Sequence, residues 1–64
     1  MEKHILVIED EIGLREAMAE SLREEGYKVT EAENGQVGLD AALRDHPDLI
    51  LLDLMMPVMN GQEM

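Results

Sequence analysis

The sequence predicts an α/β fold, a partial doubly wound parallel sheet in which strands and helices alternate as βαβαβ. Three observations predict it. Residues 5–8 are wholly apolar and residues 49–55 are apolar except for Asp53, the pattern of strands covered on both faces. Two segments between them place apolar residues four apart, which is helical spacing. Strands separated by helices in this way pair in parallel through right-handed crossovers.

Taken in order, Ile5, Leu6, Val7 and Ile8 make the first strand, three of the four being β-branched. Residues 11–24 form the first helix, with Leu14, Met18 and Leu22 stacked along one face and Glu11 and Arg15 as a supportive i,i+4 pair. Gly26 stops that helix in a left-handed conformation. Residues 27–31 read as a second, less apolar strand, and Asn34-Gly35 as the turn that leaves it. A second, shorter helix covers residues 36–44, where Leu39 and Leu43 are four apart and so are Gly38 and Ala42. Pro47 ends it and biases His46 out of helical geometry. The third strand is residues 49–55. Asn60-Gly61 has hairpin chemistry, but only three residues follow, so it reads as a loop turn leading toward a helix. The chain has no internal repeat or low-complexity tract. Gly35 and Gly38 are too few and wrongly spaced for a dinucleotide or P-loop fingerprint.

A chain of 64 residues is at most one small domain, and a core of that size removes only about 60% of the unfolded surface from water. With no cysteine there is neither a disulfide framework nor a thiolate metal site to reinforce it, and a reducing cytoplasm is the expected location. The apolar runs fall far short of the ~20 residues of a membrane helix. Fifteen acidic against five basic residues give a formal charge of −10, which repels nucleic-acid phosphates and anionic lipid, so neither nucleic acid nor membrane is an expected partner.

Most of the carboxylates suit a solvated surface, but three do not. Asp53 interrupts the apolar third strand, and Leu54-Met55-Met56 continues the run beyond it, which argues against a strand that merely ends early. A carboxylate there needs a cation, strong donors or a solvent-open site. Glu9 and Asp10 directly follow the first strand. In open α/β sheets ligands bind beyond the strand C-termini, and with strand order 2-1-3 the three acids converge on that rim. Asp10 as a simple helix N-cap, with Glu9 and Glu11 complementing the helix dipole, is the plainer account of the pair taken alone. Clustered carboxylates resist ionising together unless a cation joins them. An all-oxygen set suits Mg2+ with several retained waters, which would also ease the approach of an anionic phosphoryl donor.

The run Ile5-Leu6-Val7-Ile8-Glu9-Asp10-Glu11 resembles the first strand and acidic pair of response-regulator receiver domains. Gly26-Tyr27-Lys28-Val29 is similar to that family's second-strand entry, and Ala32-Glu33-Asn34-Gly35 to the turn that follows. Most specific is the stretch from Pro47-Asp48 through Asp53 to Pro57 and Gly61, which looks like the family's acceptor strand and loop almost position for position. The resemblance covers the whole chain and implies a flavodoxin-like fold, of which residues 1–64 would be the N-terminal part. It implies Asp53 as phosphoacceptor, Asp10 as a direct Mg2+ ligand, Glu9 as a direct or water-mediated one, and the backbone carbonyl of Met55 as a further ligand. A histidine kinase or a small-molecule phosphodonor would supply the phosphoryl group, in a signalling protein rather than an enzyme.

The departures define what else is expected. The family's Ser or Thr after the fourth strand and Lys after the fifth have no counterpart here, because the chain stops before β-strands four and five. Lys3 and Lys28 lie near strand beginnings, at the opposite rim, and cannot substitute. The unpaired edge of the third strand is expected to template self-association, such as a two-fold dimer. Met55, Met56, Met59 and Met64 read as core filler that also suits an adaptable interface. Two other classes compete: a half-domain that self-associates without signalling, and a haloacid-dehalogenase-type phosphatase. The phosphatase requires a second aspartate where Met55 stands.

Overall fold

A computed structural model describes residues 2–52. Asp53, Met55, the distal part of the expected third strand and the Asn60-Gly61 turn lie outside the described residues. The elements are β1 (His4–Ile8), α1 (Ile12–Glu24), β2 (Lys28–Ala32), α2 (Gly35–Asp45) and β3 (Leu49–Leu52). The three strands pair in parallel in the order β2-β1-β3, the partial doubly wound arrangement read from the sequence. Register runs from His4 opposite Lys28 to Ile8 opposite Ala32 on one side, and from Ile5 opposite Leu49 to Ile8 opposite Leu52 on the other.

As the central strand, β1 is covered on both faces, and Ile5, Leu6, Val7 and Ile8 are all buried. Leu6 and Ile8 pack with Ala32, Ala41 and Ala42, which assigns the α2 face. Val7 points to the other face together with its rung partner Glu31, whose carboxylate reaches Arg15 and Arg23 of α1. The two helices therefore sandwich the sheet. None of the helices among the described residues is long and apolar enough to cross a membrane.

In α1 the structure corrects two expectations. Glu11 lies outside the helix as its N-cap, its side chain accepting from Leu14 N at 2.7 Å, and Arg15 turns away from it to Glu9 and Glu31. A carboxylate at this position satisfies an otherwise unpaired first-turn N–H and faces the positive end of the helix dipole, which outweighs a solvent-exposed i,i+4 pair. The inward face is centred on the fully buried Ala19, with Met18 and Leu22 half-buried, while Leu14 is exposed. Gly26 ends the helix at φ +97°, the left-handed conformation expected of it.

Asn34 caps α2 by accepting from Val37 N at 2.9 Å. Of the two four-residue series in this helix, the small one faces inward. Gly38 and Ala41 are buried, whereas Leu39 and Leu43 are more than half exposed. His46 closes the helix in the left-handed region just before Pro47. The start of β3 is fastened to the start of β1 by two 2.8 Å hydrogen bonds, Asp48 N to His4 O and His4 N to Asp48 Oδ2.

Candidate acidic site

The residues that follow β1 are held tightly. Glu9 N donates to Ala32 O at 3.0 Å, carrying the β1–β2 ladder one step past Ile8. The Glu9 carbonyl accepts from Arg15 Nη1 at 2.9 Å, and Glu9 Oε2 accepts from Glu11 N at 2.8 Å. Glu9 is 1% exposed, yet its second carboxylate oxygen, Oε1, has no hydrogen-bond partner among the described residues. A buried carboxylate with one oxygen unsatisfied is costly unless a donor or cation completes it. Asp10, the next residue, is exposed at the turn into α1.

Of the predicted site residues, the structure thus places Glu9 and Asp10 together at the C-terminal rim of the sheet, one buried and one open to solvent. Asp53 and Met55 lie outside the described residues. Among the described residues, no three His, Cys, Asp or Glu side chains are grouped so as to hold a metal ion. The donor set present nevertheless fits a hard cation: Glu9 Oε1 is a buried carboxylate oxygen with no partner among the described residues, and Asp10, next in sequence, brings a second carboxylate to the same rim.

Sequence reasoning missed Arg15. It was assigned to Glu11, whereas its guanidinium, 14% exposed, spans from the Glu9 carbonyl to Glu31 Oε1 at 3.6 Å. Glu31 in turn pairs with Arg23 Nη2 at 3.2 Å. The available signal was an arginine one turn before the buried Ala19, on a helix facing a strand that carries a glutamate. His4 Nε2 lies 2.6 Å from Thr30 Oγ1, and His46 serves as the α2 cap. Lys3 and Lys28 meet at the opposite rim, Lys28 N donating to Lys3 O, and so lie at the far end of β1 from Glu9.

The family model described as response regulator receiver domain matches residues 5–64. Sporulation initiation phosphotransferase F of Bacillus subtilis is 40% identical over 63 residues, covering 98% of this chain and 51% of that protein. The uncharacterized transcriptional regulatory protein YkoG of the same organism is 47% identical over 64 residues, covering 98% of this chain and 28% of the relative. Response regulator ArlR of Staphylococcus aureus is 48% identical over 59 residues, covering 92% of this chain and 27% of the relative. The chain spans about half the length of the first of these relatives and less of the others.

Proposed function

The chain belongs to the response regulator receiver domain family, and on that premise we propose that it is a phosphoacceptor of two-component signalling with Asp53 as the acceptor. An oxygen of the Asp53 carboxylate attacks phosphorus, and the bond from phosphorus to the donor breaks. The donor is a histidine kinase's phosphohistidine, which leaves as imidazole, or a small acyl phosphate, which leaves as its carboxylate. The product is an aspartyl phosphate. The protein signals by carrying this group rather than by turning over a separate substrate.

The observation that carries the reading is the buried Oε1 of Glu9 at the C-terminal rim of β1, which has no hydrogen-bond partner among the described residues. Ile8 is paired with Leu52, so the next residue of each chain segment is Glu9 on one side and Asp53 on the other. Glu9 and Asp10, with Asp53 and the Met55 carbonyl, would hold Mg2+. When bound, that ion neutralises the clustered charge and favours approach of an anionic phosphoryl group. The cytoplasm, where ATP-dependent kinases work, is the location this role requires.

The exposed edge of β3 supports a further part of the reading. Leu49, Ile50 and Leu52 are each about half exposed, and no strand covers the outer side of β3 among the described residues. Residues 1–64 act as the N-terminal part of a receiver domain, and this edge pairs with another copy wherever nothing else covers it.

Phosphorylation is tested with acetyl phosphate and Mg2+, comparing the unaltered protein with Asp53→Asn by intact mass. One added phosphoryl group in the unaltered protein and none in the variant is expected. Equal labelling of both removes Asp53 from the role.

A further inference from the structure

We infer that Arg15 is a positioning residue for the acidic pair, and that it sets Mg2+ affinity through the peptide joining Glu9 to Asp10. The inference rests on the metal-binding reading of that pair.

The chain leaves β1 through three fixed points. Glu9 N is tied to Ala32 O, the Glu9 carbonyl to Arg15 Nη1, and Glu11 N to the Glu9 carboxylate through Oε2. The first two hold the backbone on either side of the Glu9 Cα, so together they set the direction in which Asp10 departs from the strand. The third fixes the Glu9 carboxylate and leaves Oε1 without a partner among the described residues. Only the middle point is supplied by a side chain from another element.

Arg15 is itself held in place. Its planar guanidinium presents several donors in a rigid fork, which lets one group serve a carbonyl and a carboxylate together. Glu31 on β2 takes the other end at 3.6 Å, and Arg23, about two turns further along α1, holds Glu31 at 3.2 Å. With 14% of its side chain exposed, Arg15 is a brace between helix, sheet and the acidic turn rather than a solvated surface charge.

Positioning and simple electrostatics predict opposite signs. A positive charge beside a cation site repels the cation, so deleting it on charge grounds alone tightens Mg2+ binding. Releasing the Glu9–Asp10 peptide costs affinity instead, as loss of the groups that orient metal ligands generally does. Stability alone predicts a lower unfolding midpoint with unchanged affinity in the folded protein.

The experiment is an Mg2+ titration of the protein at its natural full length, followed by backbone amide shifts around residues 8–12. Arg15→Ala is expected to weaken binding about tenfold. Arg15→Lys, which keeps the charge but only one flexible donor group, is expected to fall between. Arg44→Gln, which loses a contact to Asp45 at the end of α2 and none to Glu9 or Glu31, is expected to bind as the unaltered protein does. Unchanged or tighter binding in Arg15→Ala overturns the role. If the alanine variant does not fold, Arg15→Lys decides, since affinity equal to the unaltered protein overturns it equally. An unaltered protein that shows no Mg2+-dependent shift overturns the metal reading and this inference together.

Discussion

Gly38 of α2 passes so close to Ile8 of β1 that a methyl group on its Cα would lie 2.7 Å from Ile8 Cγ1. That separation is below any real packing distance, so a side chain there must displace either the helix or Ile8, which directly precedes Glu9.

Gly38→Ala therefore sets two effects against each other. Alanine gains up to about 1 kcal/mol of helix propensity, while overpacking costs roughly 1–3 kcal/mol. A net loss of about 1 kcal/mol is expected in urea unfolding. The Cδ1 methyl of Ile8 is also among the obstructing atoms, so in an Ile8→Val background the same substitution is expected to cost less. Equal cost in both backgrounds contradicts the contact.

Why was the close approach not legible in the sequence? Leu39 with Leu43 and Gly38 with Ala42 satisfy helical spacing equally well, and the choice between them depends on the distance between helix and sheet. The β1 run was legible because a strand buried on both faces has no polar position to hide it. Parallel pairing followed from connectivity, and the strand order from the flavodoxin-like fold that the family resemblance implies. Glu11 misled because a carboxylate at a helix start serves equally well as first-turn residue or cap, and only backbone geometry separates the two. The position of Glu9 at the C-terminal rim was legible from its place after β1, but its burial and its tie to Arg15 depend on how α1 lies across β2.

Removing the buried carboxylate of Glu9 is expected to trade the proposed cation site for stability. Glu9→Gln keeps an oxygen to accept from Glu11 N and replaces the unsatisfied anionic oxygen with a neutral amide. In EDTA the variant is expected to be more stable to urea by about 1 kcal/mol. Added Mg2+ should then raise the midpoint of the unaltered protein and leave the variant's unchanged. A less stable variant in EDTA would show that Glu9 is already satisfied without a cation.

At the end of α2, the hydrogen bond from the Arg44 guanidinium, 3.0 Å from Asp45 Oδ1, holds the Asp45 carboxyl below its ordinary range. A lowered folded-state value means that the pair's contribution is present above the unfolded-state value and lost as pH falls through the lowered one. The Arg44 partner is two-thirds exposed, so the effect on stability is small and weakens with salt. Side-chain NMR titration is expected to show Asp45 moving up toward the ordinary carboxylate value in Arg44→Gln. An unchanged titration in the variant would rule out the hydrogen bond as the cause.

The β3 edge makes the remaining prediction. Ile50 stands opposite Leu6 on the α2 face and is 46% exposed, so it contributes to the sheet's uncovered margin more than to the core. If that margin pairs with another copy, a charge repeated across the interface opposes its own image, and lysine is among the residues that blunt strand edges. In a chain comprising residues 1–64, Ile50→Lys is expected to weaken self-association by about tenfold, near 1.4 kcal/mol. Circular dichroism should show the helices retained. Sedimentation equilibrium over a concentration series reads the change directly. An unaltered chain that stays monomeric and folded at the highest concentration shows that β3 needs no partner, and association unaffected by Ile50→Lys moves the contact to another face.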